Sequence, residues 1–147
     1  MTSVSLYRTA SVVFVLFAVG HTIGFLSFTP PTAEGIAVRD AMNNVHFTVG
    51  GASFSYGGFY RGFGLSATVS MLFQAFLAWQ LGAIVRLAPR AAASIGWGLC
   101  VPQLVGFALS CIYFSVGPAF LSLAVAACLG LAAWRSEPRG RAAQPAA

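Results

Sequence analysis

Four apolar blocks dominate the sequence and limit what it can fold into. They cover residues 10–28, 63–85, 91–116 and 119–134. An α-helix rises about 1.5 Å per residue, so about 20 apolar residues cross a hydrocarbon core of about 30 Å. The last block is the shortest and needs its flanking residues to reach across. The pattern predicts an all-α protein, a four-transmembrane-helix bundle with one span in each block.

Charged side chains make up only 7% of the 147 residues, against roughly 25% in a soluble domain. This scarcity excludes a water-soluble domain and predicts a surface in contact with the lipid bilayer. The eight basic residues are all arginines, and they lie scattered between the apolar blocks. A nucleic-acid interface would cluster them on one face, so no nucleic-acid partner is expected.

The positions of the arginines predict the orientation of the four spans. One side of the membrane would hold both termini and the loop between the second and third spans. That side carries six arginines, whereas the opposite side carries only Arg39 and Arg61. Cytoplasmic loops are enriched in basic residues, so we expect both termini in the cytoplasm, with the spans in a bacterial inner membrane. The six arginines are Arg8, Arg86, Arg90, Arg135, Arg139 and Arg141.

Breaks in the apolar pattern define the predicted domain. Gly117-Pro118 separates the third span from the fourth, because proline cannot continue a helix. Residues 1–135 are expected to form a single transmembrane domain, and residues 136–147, which lack apolar periodicity, a disordered cytoplasmic tail. The first block could instead belong to a signal peptide, but its apolar sequence continues to Phe28 and favours a retained span.

The connection over residues 29–60 is long for a four-helix membrane protein, and loops of this length are usually functional or disordered. The spacing of apolar residues over 34–47 predicts a short amphipathic helix on the outer surface. The glycine-rich segment that follows, with Gly50-Gly51 and Gly57-Gly58, is expected to turn tightly and re-enter the mouth of the bundle. The predicted helix has Val38, Met42 and Val45 on its apolar face, and Arg39, Asn43 and His46 on its polar face.

Few polar side chains lie within the spans. His21 is in the first, Gln74 in the second and Gln103 in the third. An amide or imidazole that faces lipid is costly. We therefore expect these side chains to point inward and to form, with Arg61, a polar axis that opens outward beneath the loop. The candidate polar site consists of His21, Arg39, Asp40, His46, Tyr60, Arg61, Gln74 and Gln103.

These residues also have structural interpretations. Gln74 and Gln103 could form one interhelical hydrogen bond. Arg61 could anchor the membrane interface or pair with Asp40. His21 carries an imidazole, which could bind a metal or move a proton, but it could equally pack against a neighbouring helix. No Cys/His cluster has zinc spacing, and no second intramembrane histidine supports bis-histidine haem ligation. No catalytic residue, metal or cofactor is therefore assigned.

Two segments carry a resemblance to known proteins. Gly20–Phe25 (GHTIGF) lies on the first predicted helix, and Ser53–Gly64 (SFSYGGFYRGFG) leads into the second. Together they resemble an uncharacterised family of small four-helix bacterial integral membrane proteins and, more loosely, DoxX-like proteins. The resemblance implies four helices and a motif region that unites His21 with Tyr60 and Arg61. The family has no established activity, while DoxX-like proteins have been linked to redox and quinone-associated membrane systems.

Two hypotheses of function follow. The first is a binding protein or enzyme for a lipophilic small molecule, lipid or quinone-like, whose head group is held in the outer half of the bundle. The alternative is an accessory or structural subunit that packs against a larger membrane complex or against copies of itself. Its motivation is the small size and faces such as Gly20-x-x-x-Gly24. A transporter is disfavoured, because no acidic residue lies within a span and no inverted repeat is visible.

Overall fold

The computed structural model describes residues 1–137, which form five helices and one β-hairpin. The hairpin lies between the second and third helices. The helices are α1 (Ser3–Ser27), α2 (Ala33–Asn44), α3 (Tyr56–Ile84), α4 (Pro89–Tyr113) and α5 (Val116–Ser136), and the strands are β1 (His46–Val49) and β2 (Ala52–Ser55).

Four of the helices, α1, α3, α4 and α5, are long and apolar enough to cross a membrane. They contain 25, 29, 25 and 21 residues, and a typical hydrocarbon core requires about 20. The predicted all-α fold with four spanning helices is therefore confirmed. The length and composition of these helices indicate a multi-pass membrane protein.

The predicted boundary between the last two spans is wrong. α4 ends at Tyr113 and α5 begins at Val116, so the break falls at Phe114-Ser115. Pro118 lies in the first turn of α5. Proline is tolerated there because the N–H groups of a first helical turn have no intrahelical partner in any case.

Several helices extend beyond the predicted apolar blocks. α1 begins at Ser3 rather than at residue 10, and the Thr2 hydroxyl accepts a hydrogen bond from the Ser5 backbone N–H at 3.2 Å. α5 continues through Ser136, whose hydroxyl donates to the Ala132 carbonyl oxygen at 2.7 Å. Ser136 is thus helical rather than part of a disordered tail. The rest of that predicted tail, from residue 138 onward, lies outside the described residues.

The short helix predicted in the long loop is present as α2. Its N-cap is Thr32, whose side chain accepts a hydrogen bond from the Gly35 N–H at 3.1 Å. The helix ends at Asn44 because Val45 adopts an extended backbone, with φ −81° and ψ 128°. His46, which was predicted to lie on this helix, is instead the first residue of β1.

A β-hairpin that was not predicted from the sequence follows α2. Its strands pair antiparallel, with Phe47 opposite Phe54. The turn consists of Gly50 and Gly51, whose φ angles of 58° and 83° lie in the left-handed region that favours glycine. These angles suit a type I′ turn, which matches the twist of a hairpin. The hairpin leads directly into α3, which begins at Tyr56 rather than at residue 63.

The chain forms two compact units. The first unit contains residues 1–17 and the described residues from 72 onward, and the second contains residues 18–71. The first unit therefore holds the N-terminal part of α1, the C-terminal part of α3, and all of α4 and α5. The second unit holds the remaining parts of α1 and α3, together with α2 and the hairpin.

The first unit is a helical bundle around an apolar core to which α1, α3, α4 and α5 all contribute. Its largest fully buried side chains are Tyr7, Phe14, Val125 and Leu129. The Tyr7 hydroxyl donates to the Ala92 carbonyl oxygen at 2.8 Å, and this bond joins α1 to α4. Buried polar groups in an apolar bundle need such partners.

Candidate functional site

His21 joins α1 to α3 within the second unit. Its Nε2 donates to the backbone oxygen of Gly64 at 3.1 Å, and its ring centroid lies 5.1 Å from that of Phe25. A Cβ atom on Gly64 would lie only 2.7 Å from the Phe25 ring, so the two helices approach closely here. This geometry fits the packing interpretation of His21 and requires no ligand.

Two threonines that the sequence analysis missed belong to the same helix–helix contact. The hydroxyl oxygens of Thr22 and Thr68 lie 2.7 Å apart. Each hydroxyl also lies within hydrogen-bond distance of a carbonyl oxygen of its own helix, Thr22 of Ala18 at 2.7 Å and Thr68 of Gly64 at 3.2 Å, and either hydroxyl could be the donor between the two threonines. Both threonines could have been identified from the sequence, because they are polar residues in apolar spans, where polar side chains form hydrogen bonds between or along helices.

Gln74 and Gln103 form a hydrogen bond in the first unit. Gln103 Nε2 donates to Gln74 Oε1 at 3.0 Å, and the Gln103 side chain is buried. The bond joins α3 to α4 and is the interhelical hydrogen bond that the structural interpretation of this pair expects. That the two glutamines share a polar axis with His21 stays a prediction.

A cleft of about 590 Å³ lies in the second unit. Residues from the end of α1, from α2 and from the first turns of α3 line it, and we call it the α1–α2 cleft. Apolar walls with a few polar groups are typical of sites for small molecules. The apolar side chains that line it include Phe25, Leu26, Phe28, Val38 and Met42, and the polar ones include Arg39, Asp40, Asn43, Tyr60 and Arg61.

Four residues of the predicted polar site thus lie together in the α1–α2 cleft: Arg39, Asp40, Tyr60 and Arg61. Arg61 does not pair with Asp40, which was one of its expected roles. Its Nε donates to the Gly57 carbonyl oxygen at 3.4 Å. Asp40 instead lies 3.6 Å from the Nε of its neighbour Arg39. Within residues 1–137, no carboxylate lies within ion-pair distance of Arg61.

Gly57 sets the width of the cleft where α2 meets α3. It is buried, and a Cβ atom there would overlap the Asn43 side chain and lie 3.3 Å from the backbone carbonyl carbon of Met42. Glycine therefore allows the C-terminal end of α2 to approach the first turn of α3. The sequence analysis expected Gly57 in a tight turn, but the residue mediates a close contact between helices.

His46 does not line the α1–α2 cleft. It is exposed on β1, and its Nδ1 donates to the Asn44 carbonyl oxygen at 2.8 Å. The hairpin beside it packs on α3 through aromatic rings. The Phe47 ring lies 4.9 Å from that of Tyr56 and 5.6 Å from that of Phe59. These rings hold the hairpin against the first turn of α3.

The chemistry that these residues offer is recognition of a ligand. The guanidinium groups of Arg39 and Arg61 and the hydroxyl of Tyr60 are hydrogen-bond donors, and apolar side chains line the same cleft. Within residues 1–137, no group of three or more His, Cys, Asp or Glu side chains is placed to hold a metal ion.

Comparison with known proteins gives no match to a family model, to a curated protein or to a solved structure. The resemblance carried by Gly20–Phe25 and Ser53–Gly64 therefore stays a prediction.

Proposed function

We propose that this protein binds a lipophilic small molecule with an acidic head group in the α1–α2 cleft. The observation that carries the proposal is Arg61, a guanidinium that lies in this cleft without a carboxylate partner among residues 1–137. The Arg61 side chain is exposed, so a ligand can reach its guanidinium group. An acidic head group would offer it an opposite charge and hydrogen-bond acceptors.

The polar groups favour an anion over a cation. Arg61 uses its Nε for the Gly57 carbonyl oxygen, which leaves its two terminal nitrogens for a ligand. Those nitrogens form the planar fork that binds carboxylate or phosphate with two parallel hydrogen bonds. Arg39 and Asp40 neutralise each other, so the charge of Arg61 is in excess.

The apolar part of the lining suits a hydrocarbon tail. Phe25, Phe28 and Met42 are among the side chains that would contact it. The volume of about 590 Å³ falls within the range of about 300 to 1,000 Å³ that is usual for small-molecule sites. A quinone-like molecule shares the apolar tail and has a head group that accepts hydrogen bonds, so it is the second ligand class to test.

We further propose that the cleft faces the outside of a bacterial inner membrane, with both termini in the cytoplasm. The support is the excess of arginines on the side of the termini. A cysteine introduced at Ser53, an exposed residue of the hairpin, should react with a membrane-impermeant maleimide in intact spheroplasts when the native cysteines are replaced by alanine. Labelling only after lysis would reverse the orientation.

One observation favours the accessory-subunit alternative. Among the described residues, nothing beyond the backbone of α1 lies within 4 Å of the positions that Cβ atoms on Gly20 and Gly24 would occupy. Small residues let helices approach closely in a membrane, so this face could accept a helix of another protein. A stoichiometric partner protein in a mild-detergent extract would support this function.

The proposal predicts that Arg61→Gln weakens the binding of oleate by about tenfold or more, because a hydrogen bond to a charged group is worth about 1.5 to 3 kcal/mol. Binding of radiolabelled oleate to purified protein in phosphatidylcholine nanodiscs measures the affinity. Arg90→Gln makes the same change of charge in the first unit, outside the cleft, and should leave the affinity unchanged. His21→Ala should weaken binding less than Arg61→Gln does, because His21 does not line the cleft and contacts it only through the Phe25 ring.

Equal binding of oleate by the parent protein and by Arg61→Gln would overturn the proposal. A short-chain benzoquinone that binds more tightly than oleate, and is lost in Arg61→Gln, would keep the site and change the class of head group. Loss of binding in His21→Ala but not in Arg61→Gln would move the site to the contact between His21 and Gly64.

A further inference from the structure

A second and smaller cleft lies in the first unit, with a volume of about 270 Å³. We call it the basic cleft. Three chain segments meet in it: the start of α1, the loop from α3 to α4, and the end of α5. These segments were predicted to share one side of the membrane, and in the structure they line one cleft. It is lined by Thr2, Ser3, Val4, Val85, Arg86, Pro89, Arg135 and Ser136.

The charge of the basic cleft is entirely positive. Arg86 and Arg135 line it, and no acidic residue does. Glu137 is the carboxylate nearest to Arg135 in the sequence, but its Oε1 accepts a hydrogen bond from the Trp97 indole N–H at 2.9 Å. Within residues 1–137, neither arginine is paired with a carboxylate. Two guanidinium groups therefore line one cleft, and no carboxylate within residues 1–137 neutralises either of them.

Arg135 has one hydrogen-bond partner near the start of α1. Its Nη1 donates to the backbone oxygen of Met1, and this exposed bond links the end of α5 to the residues before α1. The hydroxyl groups of Ser3 and Ser136 add polar atoms to the lining, while Val4 and Val85 add apolar ones. An ordered guanidinium loses less entropy when it binds an anion than a freely moving side chain does.

The position of the basic cleft indicates where its ligand comes from. It lies at the ends of spanning helices, which is the level of the phospholipid head groups. Near the same ends, Arg8 stacks at 4.7 Å over the ring of Trp79, and a tryptophan at a helix end is typical of the membrane interface. Basic pockets between spanning helices bind the head groups of anionic lipids.

We propose that the basic cleft binds the phosphate group of an anionic phospholipid, with Arg86 and Arg135 as its ligands. The inference goes beyond the proposed function, because it concerns a different ligand in a different unit. The phosphate would accept hydrogen bonds from both guanidinium groups, in the geometry that arginine offers to phosphate. The hydrocarbon chains would stay in the bilayer, since the cleft is too small to hold them.

Native mass spectrometry of the full chain, titrated with dioleoylphosphatidylglycerol or dioleoylphosphatidylcholine in a non-ionic detergent, tests this proposal. The measurement is made in the Arg61→Gln background to reduce binding in the α1–α2 cleft. We expect one molecule of phosphatidylglycerol to bind more tightly than phosphatidylcholine. Arg86→Gln and Arg135→Gln should each weaken its binding by about fivefold, the contribution of one basic residue near an anionic lipid.

Two further variants separate this effect from net charge and from misfolding. Arg90→Gln removes one arginine from the start of α4, outside the lining of the cleft, and should keep the parent affinity. Arg135→Lys keeps the charge but lacks the guanidinium fork, so its affinity should lie between those of the parent and Arg135→Gln. Equal losses in Arg86→Gln and Arg90→Gln, or equal affinities for the two lipids, would overturn the proposal.

Competition with inorganic phosphate distinguishes the lipid from a soluble ligand. If millimolar phosphate fails to displace phosphatidylglycerol, the lipid is the ligand, as proposed. If phosphate displaces it at equal concentration, and this displacement is lost in Arg86→Gln, the basic cleft recognises a free phosphate and the lipid assignment is overturned.

Discussion

Replacing Gly96 with alanine is expected to lower the free energy of unfolding by about 1 to 3 kcal/mol, the usual effect of overpacking a filled core. Gly96 is a buried residue of α4. A Cβ atom there would overlap the Tyr7 hydroxyl and lie 3.1 Å from the Cβ of Ala133. Helix α4 would have to move away from both α1 and α5. Unfolding by sodium dodecyl sulfate in mixed micelles measures the change.

Tyr7 has little freedom to relieve this overlap. Its side chain is completely buried, and its hydroxyl donates to the Ala92 carbonyl oxygen, one turn before Gly96 on the same helix. Moving the ring would break that hydrogen bond in apolar surroundings, where a lost bond costs about 1 to 3 kcal/mol. The overlap is therefore expected to persist as strain between α1 and α4.

Gly98→Ala is the matched control. Gly98 lies on the same helix two residues further on, and nothing lies within 4 Å of its Cβ position. Alanine there should leave stability unchanged or raise it by up to about 1 kcal/mol, since alanine is the better helix former. Tyr7→Phe removes the overlapped oxygen and should recover part of the stability lost in Gly96→Ala. Equal effects of Gly96→Ala and Gly98→Ala would contradict the packing explanation.

The four long helices were predictable because their signal is local. Apolar blocks of sufficient length specify a span whatever the rest of the chain does. The ends of these helices were less predictable, because they depend on side chains that cap the helix and on residues, such as proline, that a first helical turn can accommodate. Thr2 accepts a hydrogen bond at the start of α1 far outside the apolar block, and Pro118 is accommodated inside the first turn of α5. Hydropathy carries neither piece of information.

The long loop shows how one local pattern can hide another. The helical spacing of apolar residues extends to Val45, which is why His46 was predicted to lie on the same helix. The segment from His46 to Ser55 also alternates around Gly50-Gly51, a pattern that favours a hairpin. The extended backbone at Val45 separates the two elements. Both signals were present, and the overlap of their ranges misled the prediction.

The sequence indicated which residue types belong to the candidate site, but it did not show which of those residues lie together. Arg39, Asp40, Tyr60 and Arg61 do line one cleft. The contacts that shape the second unit join residues far apart in the sequence, such as Gly57 with Asn43 and Gly64 with Phe25. A glycine that permits a close approach between helices has the same local signature as a glycine in a turn, so spacing alone could not identify it.

Gly57 allows α2 to approach α3, and Gly57→Ala is the second substitution with a large expected effect. We expect this substitution to weaken oleate binding by about tenfold or more. The new Cβ atom would overlap the Asn43 side chain, and the Met42 backbone would have to shift because it lies 3.3 Å away. All three residues line the α1–α2 cleft, so any movement that relieves the overlap changes its shape. Strain of about 1 to 3 kcal/mol is the usual result, and 1.4 kcal/mol corresponds to about a tenfold change in affinity.

Two variants test whether the loss of binding in Gly57→Ala comes from the overlap with Asn43. Gly62→Ala, on the same helix with nothing within 4 Å of its Cβ position, should bind oleate as the parent does. Asn43→Ala combined with Gly57→Ala removes the larger part of the overlap and should restore part of the affinity. Loss of binding in Gly62→Ala would instead point to a general effect of alanine in α3. Unchanged binding in Gly57→Ala, together with lost binding in Arg61→Gln, would show that the ligand needs the charge of Arg61 but not the close approach of α2 to α3 that Gly57 allows.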